Sequence, residues 1–161
     1  MSKINIKSEN TLERRDVLKL LGLGTVAAAT GSLVSGDALA TPDTAAKLLA
    51  KLSGTSSYKS GKIALKMPEI AENGATVPLT IRVDSPMTAG NYVKSIHVAA
   101  DKNPRPEVAS FHLTPASGKA EVSTRMRLAK TQNVIAVAVM SDGSVHRVSR
   151  LVKVTIGGCG G

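Results

Sequence analysis

Tryptophan is absent from this 161-residue chain, phenylalanine occurs once, tyrosine twice and cysteine once. With only Phe111, Tyr58 and Tyr92 to stack on bases, and basic residues scattered rather than clustered, the chain does not read as a nucleic-acid binder. A single cysteine excludes an intramolecular disulfide, so the thiol must stay free, join another chain or carry a covalent group. There is also no Gly-x-Ser-x-Gly, phosphate-cradling loop, Cys-x-x-Cys or carboxylate pair, and the common enzyme chemistries therefore have no residues to stand on. His97, His112 and His146 fall in separate expected strands with no second ligand type at metal spacing, and read as sheet-face histidines. Met67, Met87, Met126 and Met140 are dispersed along the chain, as fillers of core gaps are, rather than grouped as soft ligands. No metal or cofactor is expected.

Charge of one sign is in short supply. The chain holds 21 Lys and Arg against 12 Asp and Glu. Five of the basic and four of the acidic residues lie in the first forty, which leaves 16 against 8 for the remainder. That excess draws anions or acidic surfaces and says nothing about fold.

The first forty residues differ in kind from the rest. Arg14 and Arg15 precede an uncharged stretch from Leu20 to Gly36, and Ala38-Leu39-Ala40 follows. A basic segment, a modestly apolar segment and a small-x-small site describe a secretory signal, and the paired arginines point to twin-arginine export. Six glycine and serine residues between Gly22 and Gly36 weaken the stretch as a membrane span, so no stable membrane insertion is expected after cleavage. The expected organisation is a signal peptide over 1–40, a domain over 41–156 and a tail over 157–161, with the mature protein in the periplasm. Twin-arginine export carries folded cargo, and with no cofactor site in view a folded partner is the better reason for that route.

In the domain, Ala45, Leu48, Leu49 and Leu52 recur at helical spacing before Ser53-Gly54, which predicts one short helix. From Lys62 the period changes to two. Apolar runs at 62–67, 77–84, 92–99, 108–113, 120–128, 134–141 and 145–156 are separated by turn-forming clusters, the pattern of an all-β, immunoglobulin-like antiparallel sandwich of about seven strands. Ala120, Val122, Thr124, Met126 and Leu128 alternate with Glu121, Ser123, Arg125 and Arg127, which makes one face of that strand wet. The run from Val134 to Met140 is apolar throughout, as suits a strand covered on both faces or lying against another subunit. Asp142-Gly143 marks a tight hairpin into the last strand.

That strand runs into Gly157-Gly158-Cys159-Gly160-Gly161, which places the one thiol between glycine pairs. Glycine tolerates almost any backbone conformation, so the tail reads as a flexible arm. Cysteines that serve as small hydrophobes sit in cores instead. An isolated thiol titrates near about pH 8.5, which leaves roughly a few per cent as thiolate at neutrality, and nothing in the tail would activate it. Cys159 thus reads as an attachment point that other proteins activate. The competing reading is a structural sandwich subunit that uses Cys159 for an intermolecular disulfide; a second is a periplasmic metal-delivery protein.

The terminal pentapeptide behind Val152-Lys153-Val154-Thr155-Ile156 resembles the SoxY carrier family of the bacterial thiosulfate-oxidising (Sox) system. Similar stretches are Ile70-Ala71-Glu72-Asn73-Gly74, Lys102-Asn103-Pro104, Phe111-His112-Leu113-Thr114-Pro115, Thr124-Arg125-Met126-Arg127-Leu128-Ala129 and Met140-Ser141-Asp142-Gly143-Ser144. The resemblance implies a non-catalytic carrier that holds sulfur intermediates on Cys159, with Gly157, Gly158, Gly160 and Gly161 as its swinging arm. It further implies a heterodimer with a SoxZ-like subunit. A SoxXA-like c-type haem enzyme would load the thiol, a SoxB-like hydrolase would release sulfate, and a SoxCD-like dehydrogenase, where present, would oxidise the remaining sulfur.

Overall fold

The computed structural model describes residues 40–156. Helix α1 (Pro42–Ser53) opens the domain three residues before Ala45, the first of the apolar series, because its start is set by a cap rather than by a hydrophobic residue. Thr41 accepts at Oγ1 from the Thr44 backbone N–H (3.2 Å) while its own N–H donates to Thr44 Oγ1 (2.7 Å). Pro42, in the first turn, needs no hydrogen-bond acceptor there, and Gly54 ends the helix at a φ of 75°, a left-handed value that glycine adopts without strain.

Eight strands follow: β1 (Ile63–Lys66), β2 (Ile70–Asn73), β3 (Val77–Val83), β4 (Val93–Ala100), β5 (Glu107–His112), β6 (Glu121–Met126), β7 (Gln132–Met140) and β8 (Val145–Ile156). They form a three-stranded sheet in the order β1-β3-β6 and a five-stranded sheet in the order β2-β8-β7-β4-β5. Between the sheets lies a core that includes Val77, Leu79, Ile81, Ile96, Val98, Leu128, Val134 and Val152, all buried. The expected all-β, immunoglobulin-like sandwich is what forms, with one strand more than the seven runs. The added strand, β2, pairs parallel to β8, with Ala71 opposite Val154 and Asn73 opposite Ile156. Only Ala71 of its four residues is buried, so it carries no apolar alternation to announce itself.

β6 alternates as its sequence indicates, with Ala120, Met126 and Leu128 buried and Glu121, Ser123, Arg125 and Arg127 exposed. The fully apolar β7 is covered on both faces within this one chain. Val134, Ala136, Ala138 and Met140 enter the sandwich core. Ile135 and Val137 face a second, smaller cluster with Ala99 and Val145, which is closed by Ala45 and Leu49 of α1. The amphipathic helix is therefore the lid of the five-stranded sheet. The Asp142-Gly143 hairpin forms with Gly143 at a φ of 82° and the Ser144 N–H donating to Asp142 Oδ1 at 2.8 Å.

Candidate functional site

Cys159, its flanking glycines, and the signal residues Arg14 and Arg15 lie outside the described residues. What the structure does describe is the point from which the tail departs. β8 is held on both sides nearly to its last described residue: β7 pairs with it as far as Gln132 opposite Val152, and β2 continues on the other side to Asn73 opposite Ile156. Past the end of β7, Thr131 takes over the ladder with its side chain, accepting at Oγ1 from the Val154 N–H at 3.0 Å. Thr155 Oγ1 donates to the Glu72 carbonyl (3.0 Å) and the Gly74 N–H to the Ile156 carbonyl (2.8 Å). The Leu128 N–H in turn donates to the Gly74 carbonyl at 2.8 Å. The tail thus leaves from a fixed point, and three residues at ~3.3 Å each put Cys159 within about 10 Å of Ile156.

Two loops border that point, and a buried amide pins them together. Gln132, fully buried, accepts at Oε1 from the Lys102 N–H (2.8 Å) and donates from Nε2 to Asn103 Oδ1 (2.7 Å) and the Lys130 carbonyl (3.1 Å). Asn103 also donates from Nδ2 to the Arg127 carbonyl (2.8 Å) and accepts from the Ala129 N–H (3.0 Å). Every polar atom of the Gln132 amide has a partner, which is what allows it to lie in the interior. Lys102-Asn103-Pro104 stands out in the sequence only as a stretch similar to the family, and nothing local in it signals this link, whose partners lie 24 to 30 residues away.

Ala40, the last residue of the expected leader, is buried in the uncut chain and donates its N–H to the Asn103 carbonyl at 2.9 Å. Among the described residues, no helix is long and apolar enough to cross a membrane.

Of the three histidines, the structure brings two together. His97 on β4 and His112 on β5 meet edge to face with ring centroids 6.1 Å apart. His97 is buried and bridges Ser95 Oγ at Nε2 and Ser110 Oγ at Nδ1, both at 2.9 Å. Ser110 Oγ also donates to Glu107 Oε1 at 3.2 Å. His146 stands apart, with its Nδ1 unpartnered among the described residues. Among the described residues, no three His, Cys, Asp or Glu side chains cluster to hold a metal. The four methionines are buried in the sandwich core, as packing residues are. Tyr92 and Phe111 pack against the same core. Tyr58 packs on the second cluster under the Arg147 guanidinium, 5.6 Å from its ring centroid.

Burial, and secondarily the neighbouring His112, hold the pKa of His97 below the ordinary imidazole value, with Glu107 opposing. The neutral ring is therefore the folded form. Its contribution to stability is present above the unfolded-state pKa of about 6.5 and is lost as pH falls through the lower folded value. Urea unfolding is expected to show stability falling as the pH drops below about 7, with a shallower fall in His97→Gln. Equal slopes in the two proteins would contradict this assignment.

Comparison with known proteins places this architecture. The family described as sulfur oxidation protein SoxY matches residues 49–159, a span that reaches the cysteine. Among solved structures, the sulfur carrier protein SoxY from Chlorobium limicola f. thiosulfatophilum is 40% identical, with 68% of this chain and 94% of that one covered at a TM-score of 0.57. The superoxide reductase (neelaredoxin) of Ignicoccus hospitalis aligns at 16% identity over 72% of this chain and 94% of its own, with a TM-score of 0.53. That of Nanoarchaeum equitans aligns at 9% identity over 60% and 100%, with a TM-score of 0.51. The two reductases share the fold alone. No curated protein matches.

Proposed function

The chain belongs to the SoxY family of sulfur-oxidation proteins, the family of a sulfur carrier, and we propose that it carries sulfur intermediates covalently on Cys159 in the periplasm during thiosulfate oxidation. One observation supports this above the others: the family match runs to the only cysteine, three residues past a strand held as far as the Ile156 carbonyl. A thiol three residues past so firmly held a strand has a fixed base from which to meet several enzymes in turn.

The chemistry follows from the thiol. Its thiolate and the outer sulfur of thiosulfate form a sulfur–sulfur bond with loss of two electrons, which a SoxXA-like c-type haem enzyme would accept. Water then cleaves the terminal sulfone group as sulfate with release of two protons in a SoxB-like hydrolase, leaving a persulfide on Cys159. A SoxCD-like dehydrogenase, where present, would oxidise that sulfur before a second hydrolysis frees the thiol. Covalent attachment keeps the intermediate at high effective concentration between enzymes. Gly157, Gly158, Gly160 and Gly161 serve as the thin arm. A SoxZ-like subunit completes a heterodimer, and Arg14 and Arg15 direct export of the folded pair.

Intact-mass measurement after incubation with thiosulfate and a SoxXA-like enzyme tests this reading. The expected product is one thiosulfate-derived adduct per chain, lost on reduction. A protein recovered only as a disulfide-linked dimer and inert toward sulfur compounds would replace it with the structural-subunit alternative.

A further inference from the structure

The two sheets are clothed unequally. Helix α1 lies over the five-stranded sheet through Ala45 and Leu49, whereas among the described residues nothing covers the outer face of the β1-β3-β6 sheet. The cross-strand register sets that face out in rows: Ala64, Arg82 and Glu121; then Lys66, Thr80 and Ser123; then Pro78 and Arg125. All are exposed except Thr80, which is half-buried beside Ser123 with their hydroxyls 3.0 Å apart. Open hollows follow the rows. One of about 460 Å³ lies at the end where Lys62, Asp84 and Lys119 join Arg82 and Glu121, and two of about 350 and 370 Å³ continue past Lys66 and Thr80 to Pro78. Five cations, Lys62, Lys66, Arg82, Lys119 and Arg125, stand here against two acids, Asp84 and Glu121. Glu121 is already held by Arg82, whose Nε and Nη2 donate to it at 2.9 to 3.1 Å, so its charge is answered within the row. At the rim, Glu69 is bonded to Arg150, and Asp142 on the β7–β8 hairpin faces Lys59 and Lys62.

This face also carries no large apolar side chain. The exposed ones among the described residues, Ile70, Leu151 and Ile156, belong to β2 and β8 of the other sheet. Interfaces that stay closed are built on such apolar residues, whereas partners that meet and part are steered by charge. We propose that the outer face of the three-stranded sheet is a docking surface for an acidic protein surface that binds transiently, its carboxylates seated in the hollow beside Lys62 and Lys119 and along Lys66 and Arg125. The Arg125 end of the face adjoins the end of β8: beyond the pairing of Val77 with Met126, the Leu128 N–H donates to the Gly74 carbonyl and the Gly74 N–H to the Ile156 carbonyl. A protein seated on the face therefore borders the last described residue of β8. That this protein is an enzyme acting on the carried sulfur rests on the carrier reading; the docking surface itself does not. Because the cations are solvated, they act on encounter and weaken with salt.

An octaglutamate peptide serves as the probe, titrated at low ionic strength into the isotopically labelled full chain and followed by backbone amide shifts. The shifts should concentrate on Ala64, Lys66, Thr80, Arg82, Ser123 and Arg125, leave α1 in place, and vanish at about 1 M salt, where screening acts within about 3 Å. The triple variant K66Q/K119Q/R125Q should bind the peptide about three- to tenfold more weakly. K47Q/K51Q/R105Q removes the same charge from α1 and the loop before β5, and should lose less than about twofold. Equal weakening in the two variants, or shifts spread evenly over α1 and the end of β8, overturns the docking surface. So does an equal response to inorganic phosphate at the same concentration, which would reduce the face to a simple anion site. Failure of the carrier reading looks different: the shift map stands while thiosulfate and the haem enzyme leave no adduct on Cys159.

Discussion

Cys159→Ser is expected to bring thiosulfate-dependent electron transfer to the background rate while the domain unfolds at an unchanged temperature. Serine reproduces the size of the thiol, but its hydroxyl is neither acidic enough nor polarisable enough to form a bond to sulfur under these conditions. No later step can then occur, because each acts on a group already attached. The structural half of the expectation comes from β8, whose described residues are held as far as Ile156 by hydrogen bonds to Thr131, Glu72 and Gly74. A substitution outside such contacts ordinarily shifts stability by within about 0.5 kcal/mol. Turnover with purified partner enzymes and a thermal melt measured side by side check both halves. Residual turnover above background in the serine variant would remove the thiol from its assigned role.

Asn103→Ala is expected to produce the largest loss of stability among single polar substitutions around the arm root. The alanine removes the acceptor of the Gln132 amide and of the Ala129 N–H, and the donor to the Arg127 carbonyl. Gln132 is fully buried, so its amide loses one partner and cannot turn to bulk water. Leaving buried polar groups short of partners should cost about 2–3 kcal/mol, a fall in melting temperature on the order of 10 °C. Asn103→Asp retains both acceptor positions and loses only the donor, so it should recover about half of the difference. Circular dichroism melts of the two variants check the order. Equal stability in Asn103→Ala and the parent would mean that the two loops are held by something other than this amide pair.

The elements that could be read from the chain are those whose signal is local. The alternation through Ala120–Leu128, the Asp142-Gly143 turn and the spacing of Ala45 and Leu49 each lie within a dozen residues, and each yields the element it indicates. β2 could not be read in this way: it is four residues long with a single inward side chain, and its parallel partner lies some eighty residues away. The apolar run of β7 showed that both faces are covered without naming the cover; α1 supplies it, and only the folded chain shows that a short helix lies over that strand. The contact of His97 with His112 depends on the β4–β5 register, which shifts between Val98 and Ala99, and an irregularity of that kind has no mark in the residues.

The candidate site divides along the same line. The thiol and its glycines stand out in the sequence because they break the strand pattern, and no packing is needed to notice them. Its surroundings come from the fold: the loop before β7 runs beside the end of β8, where the Leu128 N–H bonds to the Gly74 carbonyl and Thr131 to the Val154 N–H. The overall excess of basic residues suggested attraction for anions without indicating where it acts.

The most direct measurement of the central claim is a time course with isotopically labelled thiosulfate, following the mass of the peptide that bears Cys159 as partner enzymes are added in turn. The account predicts label on Cys159 after the haem enzyme acts, a persulfide mass together with free sulfate after the hydrolase acts, and the bare thiol once the cycle completes. Sulfate released at the full rate while that peptide stays unlabelled throughout would contradict it.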